Sequence, residues 1–333
     1  MQKRLLTIFI VLMLLCAQCV GCASPEAAKL THTEIIYDTI VTITLYGTQE
    51  QRILDGCFER CRQYDRLFSR TADGSDIARV NAGGGQPVEV DAQTARLVQQ
   101  ALDYGALSDG LFDITIGSVT QLWDFSSGEG RVPDAASLKQ ALQKVDFRRV
   151  QVDDHTIQIP DGWTLDLGGI AKGYIADQVA AYLREQGVAA AILDLGGNIY
   201  ALGQHSNGQP FKIGVQKPFG TAEELSLVVD ATDCAVVTSG TYQRAFQQDG
   251  VWYHHLLDPA TGMPANPGLQ SVTILSPSST QADALSTLCF LLGPEKGMAL
   301  VEQTEGVECV MVDDDGQLLY SSGMGATVAY TLP

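Results

Sequence analysis

The stretch DLGGIAKGY, residues 166–174, sets a carboxylate, two adjacent glycines and a lysine between a short apolar lead-in, Leu165 and Leu167, and a run with helical spacing. Ile175, Val179 and Leu183 recur four apart, which is one face of a helix over residues 170–186. Gly168 and Gly169 lack a Cβ, so backbone can approach a ligand closely, and the free N–H groups of a helix start attract anions. A Gly-Gly pair in such a place also serves simply to turn the chain. Lys172, inside the first turn, tips the reading toward a phosphorylated ligand.

Outward from this turn the chain alternates unevenly between strand and helix patterns. Residues 33–46 read as a strand rich in β-branched side chains, followed by a helix over 49–67. Further helices are expected at 92–108, 134–144, 282–292 and 294–304. Strands are expected at 149–152, 156–159, 190–195, 211–215, 226–230, 235–237, 252–257, 269–275, 309–312 and 327–330. Several strands follow one another with no helix between them, so a doubly wound Rossmann sheet does not fit. The expectation is a mixed α/β (α+β) fold with largely antiparallel sheets and packed helices. A second DLGG begins at Asp194, 28 residues after the first, but their flanks differ and no repeat is inferred.

The N-terminus has Lys3 and Arg4, an apolar run over 5–15 and small residues with cysteines up to Cys22, the pattern of a secretory signal too short to span a bilayer. The reading is a lipoprotein signal peptide over 1–21 with Cys22 as the lipidated residue, a tether over 22–32 and one domain over 33–333. Cleavage at Cys16 or Cys19, or an ordinary cut near Ala23, are the alternatives. Each puts the folded part outside the cytoplasm, and the first anchors it to a bacterial membrane. Five cysteines then remain, Cys57, Cys61, Cys234, Cys289 and Cys309, and an odd number argues against a full disulfide framework. Cys57 and Cys61, with no histidine near them in sequence, read as buried thiols rather than as a metal or redox pair.

Without residues 1–21, 19 basic side chains face 39 acidic ones, a formal charge of −20. That balance excludes nucleic acid as the expected partner. Binding an anionic ligand then needs local positive potential, from a helix N-terminus, Lys172 or a divalent cation.

Three further groups carry chemistry. Asp283 and Thr287 lie four apart on a helical pattern, so a carboxylate and a hydroxyl share one face, an oxygen pair suited to Mg2+ but common at ordinary helix starts too. His254 and His255 precede LLDPATG, a strand end running into a turn. His255 is the candidate general base, its other role being a hydrogen bond that orients a ligand or Asp258. Thr238, Ser239 and Gly240 offer hydroxyls and N–H groups to a phosphate, or form an ordinary turn.

Taken together, FSR at 68–70, SDIARVN at 75–81, GLFDIT at 110–115 with LWDF at 122–125, DLGGIAKGY, DLGGN at 194–198, VTSGTY at 237–242, HHLLDPATG at 254–262 and DALST at 283–287 occur in the order of one family. The chain resembles the ApbE family, the FAD:protein FMN transferases, over nearly all of its length after residue 33. The resemblance implies transfer of FMN from FAD to a Thr or Ser hydroxyl of an acceptor protein, with loss of AMP. It implies Mg2+ held by Asp283, Thr287 and a glycine-turn carbonyl, placed at Gly169 with Ala171 as the competing choice. It implies FAD contacts from Leu111, Phe112, Asp113, Asp166 and Lys172, with Lys172 also assisting catalysis. Thr238, Ser239, His254 and Asp258 join them on the flavin side. On the adenine side the resemblance implies contacts from Tyr37, which stands where the family commonly has methionine and could stack instead, and from Thr71, which stands near an aromatic position that stacks on adenine in some members. The acceptors so implied are subunits of Rnf or sodium-translocating NADH:quinone oxidoreductase pumps, or secreted flavoproteins. A Mg2+-dependent FAD pyrophosphatase and a flavin-binding lipoprotein without turnover are the alternatives.

Overall fold

The computed structural model describes residues 28–125, 130–221 and 223–333. The expected signal peptide and Cys22 lie outside the described residues. The centre is an eight-stranded sheet made of Lys29–Ile36, Thr39–Tyr46, Ala190–Leu195, Asn198–Leu202, Cys234–Gly240, Leu269–Ser276, Glu308–Asp313 and Leu318–Tyr320. These strands neighbour one another in space in the order in which they occur in the chain, and every adjacent pair is antiparallel. The expected mixed α/β class with antiparallel sheets is what forms, and the long segments between strands supply the packed helices.

Alternation along the strands makes two apolar faces. Val41, Ile43 and Leu45 are fully buried beneath the helical layer while Ile40 beside them is exposed. That layer holds the helices Gln51–Phe68, Ala171–Glu185 and Ser279–Glu302, which pack on the sheet and on each other. On the opposite face Ala201, Val236, Leu275 and Val310 meet Phe211, Ile213, Val215, Leu227 and Val229 of a three-stranded sheet. A smaller core gathers Val119, Trp123, Leu138, Phe246 and Leu257, and anchors the two-stranded hairpin Ala245–Gln248 and Val251–His254.

The expected strand over 33–46 is a hairpin. Tyr37 and Asp38 both take left-handed backbone, φ 59° and 54°, between the paired Ile36 and Thr39, the geometry of a tight two-residue turn. No Asn-Gly pair announced it, and the first strand begins at Lys29, inside the stretch read as tether. Strands at Asn198–Leu202, Ala245–Gln248 and Leu318–Tyr320 were not anticipated. The two expected helices over 282–304 form as one run, Ser279–Glu302, broken where anticipated: Gly293 before Pro294 has φ 79° and ψ 176°. Cys57 and Cys61 are fully buried, and burial pushes both thiols up to about 12, which makes them packing residues.

Candidate functional site

The glycine turn is held from three sides. Asn81 accepts from the Leu165 N–H at 2.7 Å and donates to the Leu165 carbonyl at 3.1 Å, fixing the lead-in. Asp166 accepts the Gly168 N–H through Oδ1 at 2.9 Å. Its Oδ2 receives the Thr120 hydroxyl at 3.0 Å and faces Arg70 Nε at 3.4 Å. The Phe112 ring closes over Gly169: a Cβ there would sit 3.2 Å from Phe112 Cε2 and 3.7 Å from Thr287 Oγ1. The mid-chain turn and the late helix are therefore in contact.

The start of the helix Ala171–Glu185 meets Asp283 directly. The Gly173 N–H donates to Asp283 Oδ2 at 2.9 Å, and Lys172 Nζ lies 3.4 Å from Asp283 Oδ1 and 3.4 Å from the Gly168 carbonyl. Asp283 is only 4% exposed, and burying a carboxylate requires such partners. One turn on, Asp177 caps the start of Ser279–Glu302, accepting from Ser279 N at 2.8 Å, Thr280 N at 2.9 Å, Ser278 Oγ at 2.9 Å and Thr280 Oγ1 at 2.7 Å. This cap sets the register of the two helices and hence the place of Asp283.

Thr287 Oγ1 is 3.3 Å from Ser239 Oγ, which in turn meets Ser286 Oγ at 2.9 Å. Around the Lys172 ammonium and the late helix stand the oxygens of the Asp283 carboxylate, the Thr287 and Ser239 hydroxyls and a glycine-turn carbonyl. A hard divalent cation such as Mg2+ fits that donor chemistry. The turn carbonyl that shares Lys172 with Asp283 is that of Gly168, next to the expected Gly169.

His255 follows the hairpin strand Val251–His254. Its Nδ1 lies 3.0 Å from the Gln243 carbonyl, which can only accept, so Nδ1 carries the proton and Nε2 keeps its lone pair. Burial, with the Arg244 guanidinium and more weakly Lys172 adding repulsion, lowers its pKa to about 3. The ring is therefore neutral, with an Nε2 lone pair free to accept, and the burial and repulsion that keep it neutral also make it a weak base.

Several anticipated ligand contacts also have partners within the protein. His254 is buried behind His255, its Nε2 on the Ala265 carbonyl at 3.1 Å and its ring edge-on to Phe290, and burial lowers its pKa to about 4. Asp113 is buried too. It takes Thr115 N and Oγ1 on Oδ1 and the Phe147 N–H on Oδ2, and so braces a loop. Asp258 holds the following turn through Ala260 N and Thr261 Oγ1. Thr238 bonds Thr273 Oγ1 at 2.8 Å, whereas Ser239, its neighbour along the strand, bonds Ser286 and Thr287 of the late helix; strand side chains alternate between faces, so the two hydroxyls do not share one phosphate. The Tyr37 hydroxyl donates to the Cys61 carbonyl and its ring packs on the main core. Leu111 is half-buried, and Thr71 is exposed beside Arg70.

Sequence reasoning missed Arg70, Thr120, Asn81, Asp177, Ser286, Gln243 and Arg244. Arg70 and Asn81 lie in motifs already singled out, but only the fold shows what they touch. Trp123, in the LWDF motif, is explained likewise: its Nε1 donates to the Gly262 carbonyl at 3.1 Å and braces the turn after His255.

The two histidines give the fold a pH dependence. Both are neutral when folded and would take up protons near 6.5 when unfolded, so between about pH 6.5 and 3 the unfolded chain binds more protons and stability rises with pH. The melting temperature is expected to fall as pH drops from 7 to 4, and His254→Gln should flatten that slope. An unchanged slope in the variant would remove this account.

Comparison with known proteins identifies a family and a shared fold. The model of the ApbE family matches residues 37–311. A FAD:protein FMN transferase of Treponema pallidum (strain Nichols) is 36% identical, over 93% of this chain and 92% of the relative. One of Klebsiella pneumoniae (strain 342) is 35% identical, over 88% and 92%. Among solved structures, an ApbE protein of Thermotoga maritima superposes with TM-score 0.81 at 31% identity, covering 89% of this chain and 97% of that one. The flavin transferase ApbE of Vibrio cholerae gives 0.79 at 28%, covering 89% and 98%.

Proposed function

The chain belongs to the ApbE family, and from that premise we propose that it transfers FMN from FAD to a threonine or serine hydroxyl of an acceptor protein, as a Mg2+-dependent flavinyltransferase that releases AMP. The observation that carries the reading is the meeting of the glycine turn, Lys172 and the buried Asp283 carboxylate. Asp283, Thr287 and a glycine-turn carbonyl, Gly169 in the family pattern, would hold the metal, which when bound supplies positive charge to the diphosphate. Lys172 and Arg70, paired here with Asp283 and Asp166, and the start of the helix Ala171–Glu185 are the cationic groups that an acidic protein would turn to FAD. His255 Nε2 takes the proton of the attacking hydroxyl. That oxygen bonds to the FMN-side phosphorus, the bond to the AMP oxygen breaks, and the target keeps FMN in a phosphoester. Leu111, Phe112, Thr71, Asp166 and Ser239 stand as the surrounding FAD contacts. A lipidated Cys22 would hold the enzyme outside the cytoplasm at a bacterial membrane, beside acceptors such as Rnf or sodium-translocating NADH:quinone oxidoreductase subunits.

Incubation with FAD, Mg2+ and a co-expressed candidate acceptor should give a covalent FMN adduct by mass, with AMP formed in step. AMP formed at the same rate without acceptor, and no adduct, would instead identify an FAD pyrophosphatase. Bound FAD with no AMP would identify a flavin carrier.

A further inference from the structure

Lys172 does something more specific than add positive charge. Its ammonium sits between a carboxylate oxygen, Asp283 Oδ1, and a glycine-turn carbonyl, that of Gly168, at 3.4 Å from each. These are the same two kinds of oxygen that a divalent cation would take in this place. The other Asp283 oxygen is engaged by the Gly173 N–H, so Lys172 is the group that neutralises a nearly inaccessible carboxylate. The lysine side chain is 24% exposed, and its flexible four-carbon stem has room to turn outward while Asp283 stays fixed.

We propose that Lys172 is the resident counter-ion of Asp283 and that a divalent cation must displace it, so that metal binding frees the ammonium to swing onto the diphosphate of FAD. This deepens the transferase reading and rests on it. A divalent and a monovalent cation cannot share one buried carboxylate oxygen without strong repulsion. In the protein alone, the ion pair therefore opposes the metal. With FAD present, the displaced ammonium gains phosphate oxygens, so each ligand raises the affinity for the other by the same factor.

The test is calorimetric titration of the protein with Mg2+ alone and again with saturating FAD, which needs no turnover. Wild type should bind Mg2+ weakly alone and about tenfold or more tightly with FAD, in the usual range of such couplings. Lys172→Met, similar in length and uncharged, should bind Mg2+ alone about tenfold more tightly than wild type and lose most of the FAD effect. Lys172→Arg, which keeps the charge, should bind Mg2+ alone as weakly as wild type. Unchanged or weaker Mg2+ affinity in a Lys172→Met protein with native circular dichroism overturns the displacement and leaves the transferase reading standing. Equal Mg2+ affinity in Asp283→Asn and wild type overturns both.

Discussion

Asp283→Asn is expected to leave the protein folded and to lower kcat/KM for flavinylation by about 10³-fold, the scale seen when a preorganised charge is removed from a phosphoryl- or acyl-transfer site. Asparagine keeps an oxygen for the Gly173 N–H, now at 2.9 Å from Asp283 Oδ2, so the crossing of the two helices survives. Losing one member of a buried ion pair is usually costly because the other is stranded. Here the survivor is Lys172, a quarter exposed, and it can turn to water. Stability should therefore change by no more than about 1 kcal/mol, within the ordinary spread for pairs open to solvent. The loss should fall on the chemistry, because Asp283 is the one charged member of the oxygen set formed with Thr287, Ser239 and the turn carbonyl. Rates and denaturation midpoints measured on the same preparation decide the matter. Activity within tenfold of wild type would remove Asp283 from the site, whereas a collapsed midpoint would make its role structural.

What the sequence made legible was the part governed by local rules. β-Branched alternation found most strands of the central sheet, and Gly293–Pro294 marked the break in the late helix. The i, i+4 spacing placed Asp283 and Thr287 on one face, and the fold brings that face to the glycine turn. Which lone pairs are already in use was not legible. Asp113 and Asp258 read as ligand contacts, and the fold adds that each also receives nearby donors on both oxygens, while His254 turns into the core and its neighbour faces Gln243. Identical letters also diverged. The first DLGG runs into a helix, while in the second Gly196 and Gly197 take φ 66° and 86° and close a hairpin between Leu195 and Asn198. The difference lies in the residues after each glycine pair: Lys172 and Gly173 meet Asp283 and Ser279 of the late helix, whereas Asn-Ile-Tyr pairs with the preceding strand. Tertiary contact, not the motif, chooses between them.

Gly173→Ala sets local propensity against packing, and packing should win. Inside a helix, glycine to alanine ordinarily stabilises by about 1 kcal/mol, and Gly173 has no left-handed backbone to forbid a side chain. Yet a Cβ at this position would lie 2.2 Å from the Ser279 carbonyl oxygen and 2.8 Å from Asp283 Cβ. The first of these is backbone, held in place by the Asp177 cap, and cannot swing aside. The helices Ala171–Glu185 and Ser279–Glu302 must then part, and overpacking of this kind costs about 3 kcal/mol. The net expectation is a loss of about 2 kcal/mol in stability, the difference between those two terms. Parting the helices also draws Asp283 away from Lys172 and the glycine turn, and a displacement of about 1 Å at a reacting centre is enough for a loss of about 10²-fold in rate. Denaturant melts and flavinylation rates should therefore fall together in Gly173→Ala, unlike Asp283→Asn, in which only the rate falls. A midpoint at or above wild type would mean that the helices do not cross at Gly173 as closely as the structure places them, and the positioning of Asp283 would need another cause.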